Sequence, residues 1–194
     1  MRIILIFFTL FYLNFVSGQD NYVLKNPCEF IVSGTSTLHD WSMTINAAKA
    51  FARIEIENQN LINILSLEVN LVTENLKSKN KRMDKNAYKA LKTNLFPEIT
   101  FTFHKMENIK LENETALILA TGMLSIAGKQ NKIQLLVKTK IQAGIVYFEG
   151  EVDLKLTDNN INPPVFLGTL KTGNEVKVNF KVKFHKDNLQ IKID

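Results

Sequence analysis

The stretch "GTSTLHDWSM", Gly34 to Met43, sets a histidine, an aspartate and the chain's only tryptophan side by side, with Ser36 and Ser42 close by. An imidazole, a carboxylate and a hydroxyl are the parts of a nucleophilic hydrolase. That chemistry requires the carboxylate to reach the imidazole ring and the ring to reach the hydroxyl. In an extended chain neighbours point to opposite faces, so His39 and Trp41 share one side and Asp40 takes the other. Nothing in the spacing places Ser36 or Ser42 in a strained, exposed turn of the nucleophile-elbow kind. No catalytic residue is assigned here.

The same residues have a structural reading. Gly34 and the small residues Thr35, Ser36 and Thr37 permit a sharp bend, and Ser36 or Asp40 can hydrogen-bond the amides that the bend frees. Trp41 brings a large apolar area and one N–H that needs a partner, which suits it to closing one end of a sheet structure. A direct contact of Trp41 or His39 with a ligand is the remaining option. The histidines His39, His104 and His185 are far apart, and no HxH, HExxH or CxxC occurs. They read as surface residues, and no metal or cofactor is called for.

The chain is long enough, at 194 residues, for one domain with a substantial core. Residues 1–18 read as a signal peptide. Arg2 precedes an apolar run from Ile3 to Leu13, Asn14 ends that run too early for a membrane span, and Val16 and Gly18 precede a cut near Gln19. The expectation is one domain over residues 19–194, exported to the periplasm or secreted. Cys28 is the sole cysteine, so no intrachain disulfide exists, and a small buried side chain is its plain role. The formal net charge is +5, with lysines and acids interspersed. The short run "KSKNKRMDK" reads as a solvated face and not as a nucleic-acid groove.

The elements that position these residues announce themselves by alternation with period two, the mark of strands with one buried face. Val176, Val178, Phe180, Val182 and Phe184 fall on one side of their strand. So do Trp41, Met43 and Ile45; Ile99, Phe101 and Phe103; Val152, Leu154 and Leu156; Ile133, Leu135 and Val137; and Leu65, Leu67, Val69 and Leu71. "TALILATGMLSIAG" is apolar on both faces, which suits a strand covered on its outside as well. Gly128 and Gly144 sit in short hairpin joints. Asp158 to Pro164 carries two prolines that cannot donate to a ladder, so it leaves the sheet. One segment lacks alternation: a helix is expected from about Asp84 to Asn94, capped by Asp84, stapled by Met83 on Tyr88, stopped before Pro97, and striped by Ala87, Leu91 and Leu95. About eight strands with short joints and one inserted helix imply an all-β fold, an antiparallel eight-stranded barrel, because closure removes the edges.

Four segments, in this order, resemble the YceI-like family: "FIVSGTSTLHDW" from Phe30, "LKSKNKRMDKNAYKALKTNLFPEITF" from Leu76, "GMLSIAGKQNKIQLLV" from Gly122 and "TDNNINPPVFLGTLKTGNEVKVNFKVKF" from Thr157. The resemblance implies an exported, lipocalin-like barrel that binds polyisoprenoid lipids. The fourth segment departs from the family's common pattern, an aromatic–glycine pair after the aspartate; Asn159 and Asn160 stand there instead.

The inward faces are Val, Ile, Leu, Phe and Trp with almost no charge. That pattern fits a side-chain-filled barrel used as an envelope interaction module, and it fits a hollow one. The resemblance favours a tunnel for a long isoprenoid or other apolar lipid, lined by Trp41, Phe101, Phe103, Leu135, Val137, Leu154, Phe166, Val178 and Phe180. Burial of a five-carbon unit is worth roughly 3–4 kcal/mol gross, so such a tunnel selects by length and girth. The helix would border the entrance, with its lysines facing a phosphate or a membrane surface. A second copy of the chain, as a homodimer, is a further partner to consider; nucleic acid is not.

Overall fold

A computed structural model describes residues 19–166 and 170–187 of the chain. The expected signal peptide lies outside the described residues. The strands are β1 (Gln19–Leu24), β2 (Glu29–Ser36), β3 (Trp41–Ile45), β4 (Lys49–Glu57), β5 (Asn60–Val72), β6 (Glu98–Glu112), β7 (Thr115–Ile126), β8 (Lys129–Gln142), β9 (Ile145–Lys155), β10 (Val165–Phe166) and β11 (Leu170–Lys186). One helix, α1 (Lys81–Leu91), is inserted between β5 and β6.

Eight strands close into an antiparallel ring in the order β1, β4, β5, β6, β7, β8, β9, β11, with β11 returning to β1 through Tyr22–Lys186 and Leu24–Phe184. Two staves of this barrel are broken. β2 pairs the same strand, β11, that β1 pairs, and β3 pairs β2 as β4 pairs β1. The two breaks face each other and are tied together. The Asn26 side chain holds both the N–H and the carbonyl of Ala48 at 3.0 and 3.2 Å, and Cys28 N–H donates to Asn46 O. The joints are short for a physical reason. Ala127–Gly128 and Ala143–Gly144 are two-residue turns in which both residues have positive φ, the backbone that matches strand twist. The Phe96 ring fills the space where a side chain on Gly128 would stand.

Period two predicts the inward faces except where a strand bulges. In β5 the pairing shifts between Arg53 and Ile54 and again between Glu55 and Ile56, so Leu65 and Ile62 are the extra residues and turn outward. Leu65 is therefore not on the inward face with Leu67, Val69 and Leu71; Ile64 takes that place. On the outer face of β7 Met123 is exposed, as is Leu136 of β8 opposite Leu119, whereas Thr121 is buried.

The helix starts earlier than the alternation suggested. Asn80 is its cap, accepting from the N–H groups of Arg82 and Met83, and Lys92 ends it in the left-handed conformation. Asp84 lies inside the first turn, buried, and its carboxylate accepts from Ser78 N–H and Oγ at 2.7 and 2.6 Å. Leu95 lies beyond the helix and is exposed, so the apolar stripe is Met83, Ala87, Ala90 and Leu91. Tyr88 locks α1 to the preceding segment: its hydroxyl meets the Glu74 and Leu76 carbonyls at 2.9 Å and accepts from Lys77 Nζ. Thr93 adds a bond to the Glu74 carboxylate.

Candidate functional site: a one-ended apolar hollow

The two ends of the barrel are built differently. At the end bearing the β4–β5, β6–β7 and β8–β9 turns, side chains fill the bore. Phe184, Val146 and Ile54 are 0 % exposed, and Phe148 meets Phe184 edge to face. Nearer α1 the inward residues Phe101, Phe103, Val152, Leu154, Val178 and Phe180 are only half-buried although they face the interior. They border a cavity of about 590 Å³.

Three aromatic side chains leave this space open. Trp41, Phe101 and Phe180 each lie against a glycine of the adjacent strand, Gly34, Gly122 and Gly150 respectively. A Cβ on Gly34 would stand 2.5 Å from Trp41 Cζ2, and one on Gly150 2.7 Å from Phe180 Cζ. The rings are thereby stored along the wall. Alternation marks the aromatics but not the glycines, whose signal is their place opposite or diagonal to an aromatic in the ladder.

Of the residues expected to line the bore, Trp41, Phe101, Phe103, Leu135, Val137, Leu154, Val178 and Phe180 all border this cavity. Phe166 contributes backbone to β10, paired with Leu170, and its side chain lies outside the described residues. Other lining residues were not singled out: Ile118, Ala120 and Leu124 of β7, and Met83, Ala87 and Ala90 of α1. α1 lies over the end of the barrel with its apolar stripe inward. The loop after β9 borders the same end, with Ile161 buried and Pro164 on the cavity wall. Asn159, where the family pattern has an aromatic, pins that loop: its amide donates to Lys155 O, and its carbonyl accepts from Asn131.

Polar lining is confined to the mouth. Ser36 and His39 come from the β2–β3 turn, Asn80, Arg82 and Asn86 from the start of α1, and Asn159 and Thr172 from the far rim. The His39–Asp40–Trp41 trio forms no relay. His39 Nδ1 lies 2.8 Å from the Asp40 backbone carbonyl, which can only accept, so Nδ1 carries a proton and the Asp40 carboxylate plays no part. Ser36 Oγ is committed to the turn, donating to His39 O and accepting from the amides of Leu38 and His39. Trp41 Nε1 donates to Thr35 O at 2.9 Å. Among the described residues no three His, Cys, Asp or Glu side chains gather as metal ligands; His104 is an exposed residue at a bulge of β6.

The sequence profile of the YceI-like domain matches residues 27–184. The chain belongs to the YceI-like family. No curated protein matches it significantly. Solved YceI-like barrels share its fold. Burkholderia cenocepacia BcnA is 14% identical, with TM-score 0.62 over 79% of this chain and 95% of the other. A polyisoprenoid binding domain from Saccharophagus degradans, implicated in plant cell wall breakdown, is 11% identical, with TM-score 0.65 over 86% and 98%. The Campylobacter jejuni YCEI protein is 19% identical, with TM-score 0.58 over 74% and 83%. At such identities the likeness is one of fold, and the eight-stranded ring with one inserted helix is that of this YceI-like protein.

Proposed function

We propose that this protein is a non-enzymatic carrier that holds the tail of a long isoprenoid or similar lipid inside the barrel, in the cell envelope after removal of residues 1–18. The observation that carries the reading is the cavity itself: about 590 Å³, apolar through its depth, floored by Phe148 and Phe184 and open at the α1 end. Its size falls in the range of about 300–1,000 Å³ usual for small-molecule sites. A polyisoprenoid binding domain among the solved barrels of the same fold adds support.

The physical logic follows from the lining. With no charge below the mouth, affinity comes from removing hydrocarbon from water, roughly 0.8 kcal/mol per CH₂. Three isoprene units offset much of the roughly 4–15 kcal/mol lost in association. Short acids and sugars gain little. The floor sets an upper limit on the length of tail that can be sheltered.

The test is native mass spectrometry of whatever co-purifies, together with titration of labelled prenols of increasing length followed through Trp41 emission. Affinity that climbs with length and then levels supports the reading. A protein that carries no lipid and binds no prenol of any length overturns it. Turnover of any ester or phosphate that vanishes in His39→Ala or Asp40→Ala, with the fold intact, would replace it with an enzyme.

A further inference from the structure

The mouth of the cavity differs from the rest of the surface in charge, and like the wall and floor end, where Phe51, Leu136 and Leu111 are exposed, it carries exposed apolar side chains. Of the chain's 24 basic residues, seven lie between Lys77 and Lys92, a segment that holds one of the 19 acids; the other 17 bases face 18 acids. The whole positive excess therefore sits on α1 and the turn before it. The one acid there, Asp84, is buried and bonded to Ser78.

Pairing separates the two regions only in part, since among the described residues Lys25, Lys49, Lys132, Lys138, Lys155 and Lys183, outside this segment, also form no ion pair. On the barrel wall and at the floor end, Lys105, Lys110, Lys140, Lys177, Lys181 and Lys186 each form an ion pair with a carboxylate. Among the described residues no ion pair involves Lys79, Lys81, Arg82, Lys85 or Lys89.

Large apolar side chains stand exposed at the same end. Leu95, just beyond α1, is 73 % exposed, Leu38 of the β2–β3 turn 68 %, and Val165, next to cavity-lining Pro164, 55 %. They come from three separate connections around the mouth, and neighbours in each case are fixed: Phe96 against Gly128, Trp41 against Gly34, and Pro164 O accepting from Thr172 N–H. Apolar anchors within a field of unpaired cations are the composition of a surface that lies on an anionic bilayer.

We propose that the α1 end docks on an anionic lipid membrane, with Leu38, Leu95 and Val165 entering the interface and Lys79, Lys81, Lys85 and Lys89 over the lipid phosphates. The cavity mouth then faces the bilayer. The purpose of this docking rests on the carrier reading; its evidence, a charged and apolar surface, does not.

The experiment is co-sedimentation of the protein with vesicles of phosphatidylcholine alone and of phosphatidylcholine with an equal part of phosphatidylglycerol. The protein should pellet with the anionic vesicles, weakly with the neutral ones, and less as salt shortens the screening length. Lys85→Gln and Lys89→Gln should each weaken binding about fivefold. Leu95→Ser with Val165→Ser should weaken it about tenfold. Leu65→Ser, on the barrel wall, should change nothing. Absence of binding, equal binding to both vesicles, persistence at high salt, or equal loss in the wall variant overturns the proposal. Prenol titration of the same variants separates the two readings. A protein that binds prenols but no vesicles loses the docking surface and keeps the carrier; one that docks but binds no prenol loses the carrier and keeps the surface.

Discussion

Trp41 and Gly34 face each other across β2 and β3, and the indole occupies the space where a Cβ on Gly34 would lie, 2.5 Å from Cζ2. The N–H of that indole is satisfied by Thr35 O, so ring and turn hold each other. Gly34→Ala must push the ring toward the mouth. We expect a loss of about 1–3 kcal/mol in stability, the usual cost of overpacking. Urea unfolding reads the loss, and a red shift of the single tryptophan's emission reads the displacement. An unshifted spectrum would mean that the strands part and the ring stays.

Filled and hollow halves of the bore should answer truncation differently. Phe184 is fully buried at the floor and packs against Phe148, so Phe184→Ala should cost about 3–5 kcal/mol. Leu154 borders the cavity and is only half-buried. Leu154→Ala removes fewer contacts and should cost about 1–2 kcal/mol, below the usual Leu→Ala range. Equal costs in chemical denaturation would argue that the upper half is packed in solution.

Asp84 supports the mouth from below. Its buried carboxylate takes both donors of Ser78, two residues past cavity-lining Leu76. Asp84→Ala strands those donors, at about 1–3 kcal/mol. Hydrogen exchange should rise at residues 76–84 and stay unchanged on β8 and β9.

Burial pushes the Cys28 thiol above its ordinary pKa, with backbone hydrogen bonds pulling weakly the other way. Between the unfolded and folded values the folded chain keeps a proton that the unfolded chain has lost. This contribution to stability is thus complete below about pH 8.5 and falls as pH rises through the folded pKa. Cys28→Ala should flatten that alkaline decline in urea midpoints. Thiol reagents should modify the native protein only at its opening rate.

Much of this architecture was legible from alternation. The strand faces from Trp41, Phe101, Leu135, Leu154 and Phe180 all turn inward as period two requires. Leu65 was not, because a bulge leaves composition untouched while reversing the face of the residues before it, until the second bulge at Ile62 restores the phase and Leu61 is buried again. The helix cap was misplaced because Asp84 and Asn80 are both competent caps, and only Ser78 decides which one is otherwise engaged. Hollowness was the least legible feature. An apolar inward face reads the same whether its partners touch or stand apart, and the distinction depends on Gly34, Gly122 and Gly150 giving three rings somewhere else to lie.

The hollow can be closed deliberately. Ala120 of β7 borders the cavity from a strand whose other inward residues, Ile118 and Leu124, also line it. A phenyl ring at position 120 enters empty space, so Ala120→Phe should fold normally and gain contacts, with an unchanged or slightly raised Tm. The same ring takes volume from the bore, and prenol affinity should drop most for the longest tails, which need the deepest part. Short prenols, held near the mouth by Trp41 and Met83, should lose least. Length-resolved titrations of wild type and variant check this. If every tail length weakens equally, the tail does not run toward Phe184, and the direction of entry inferred from the floor and the mouth is wrong.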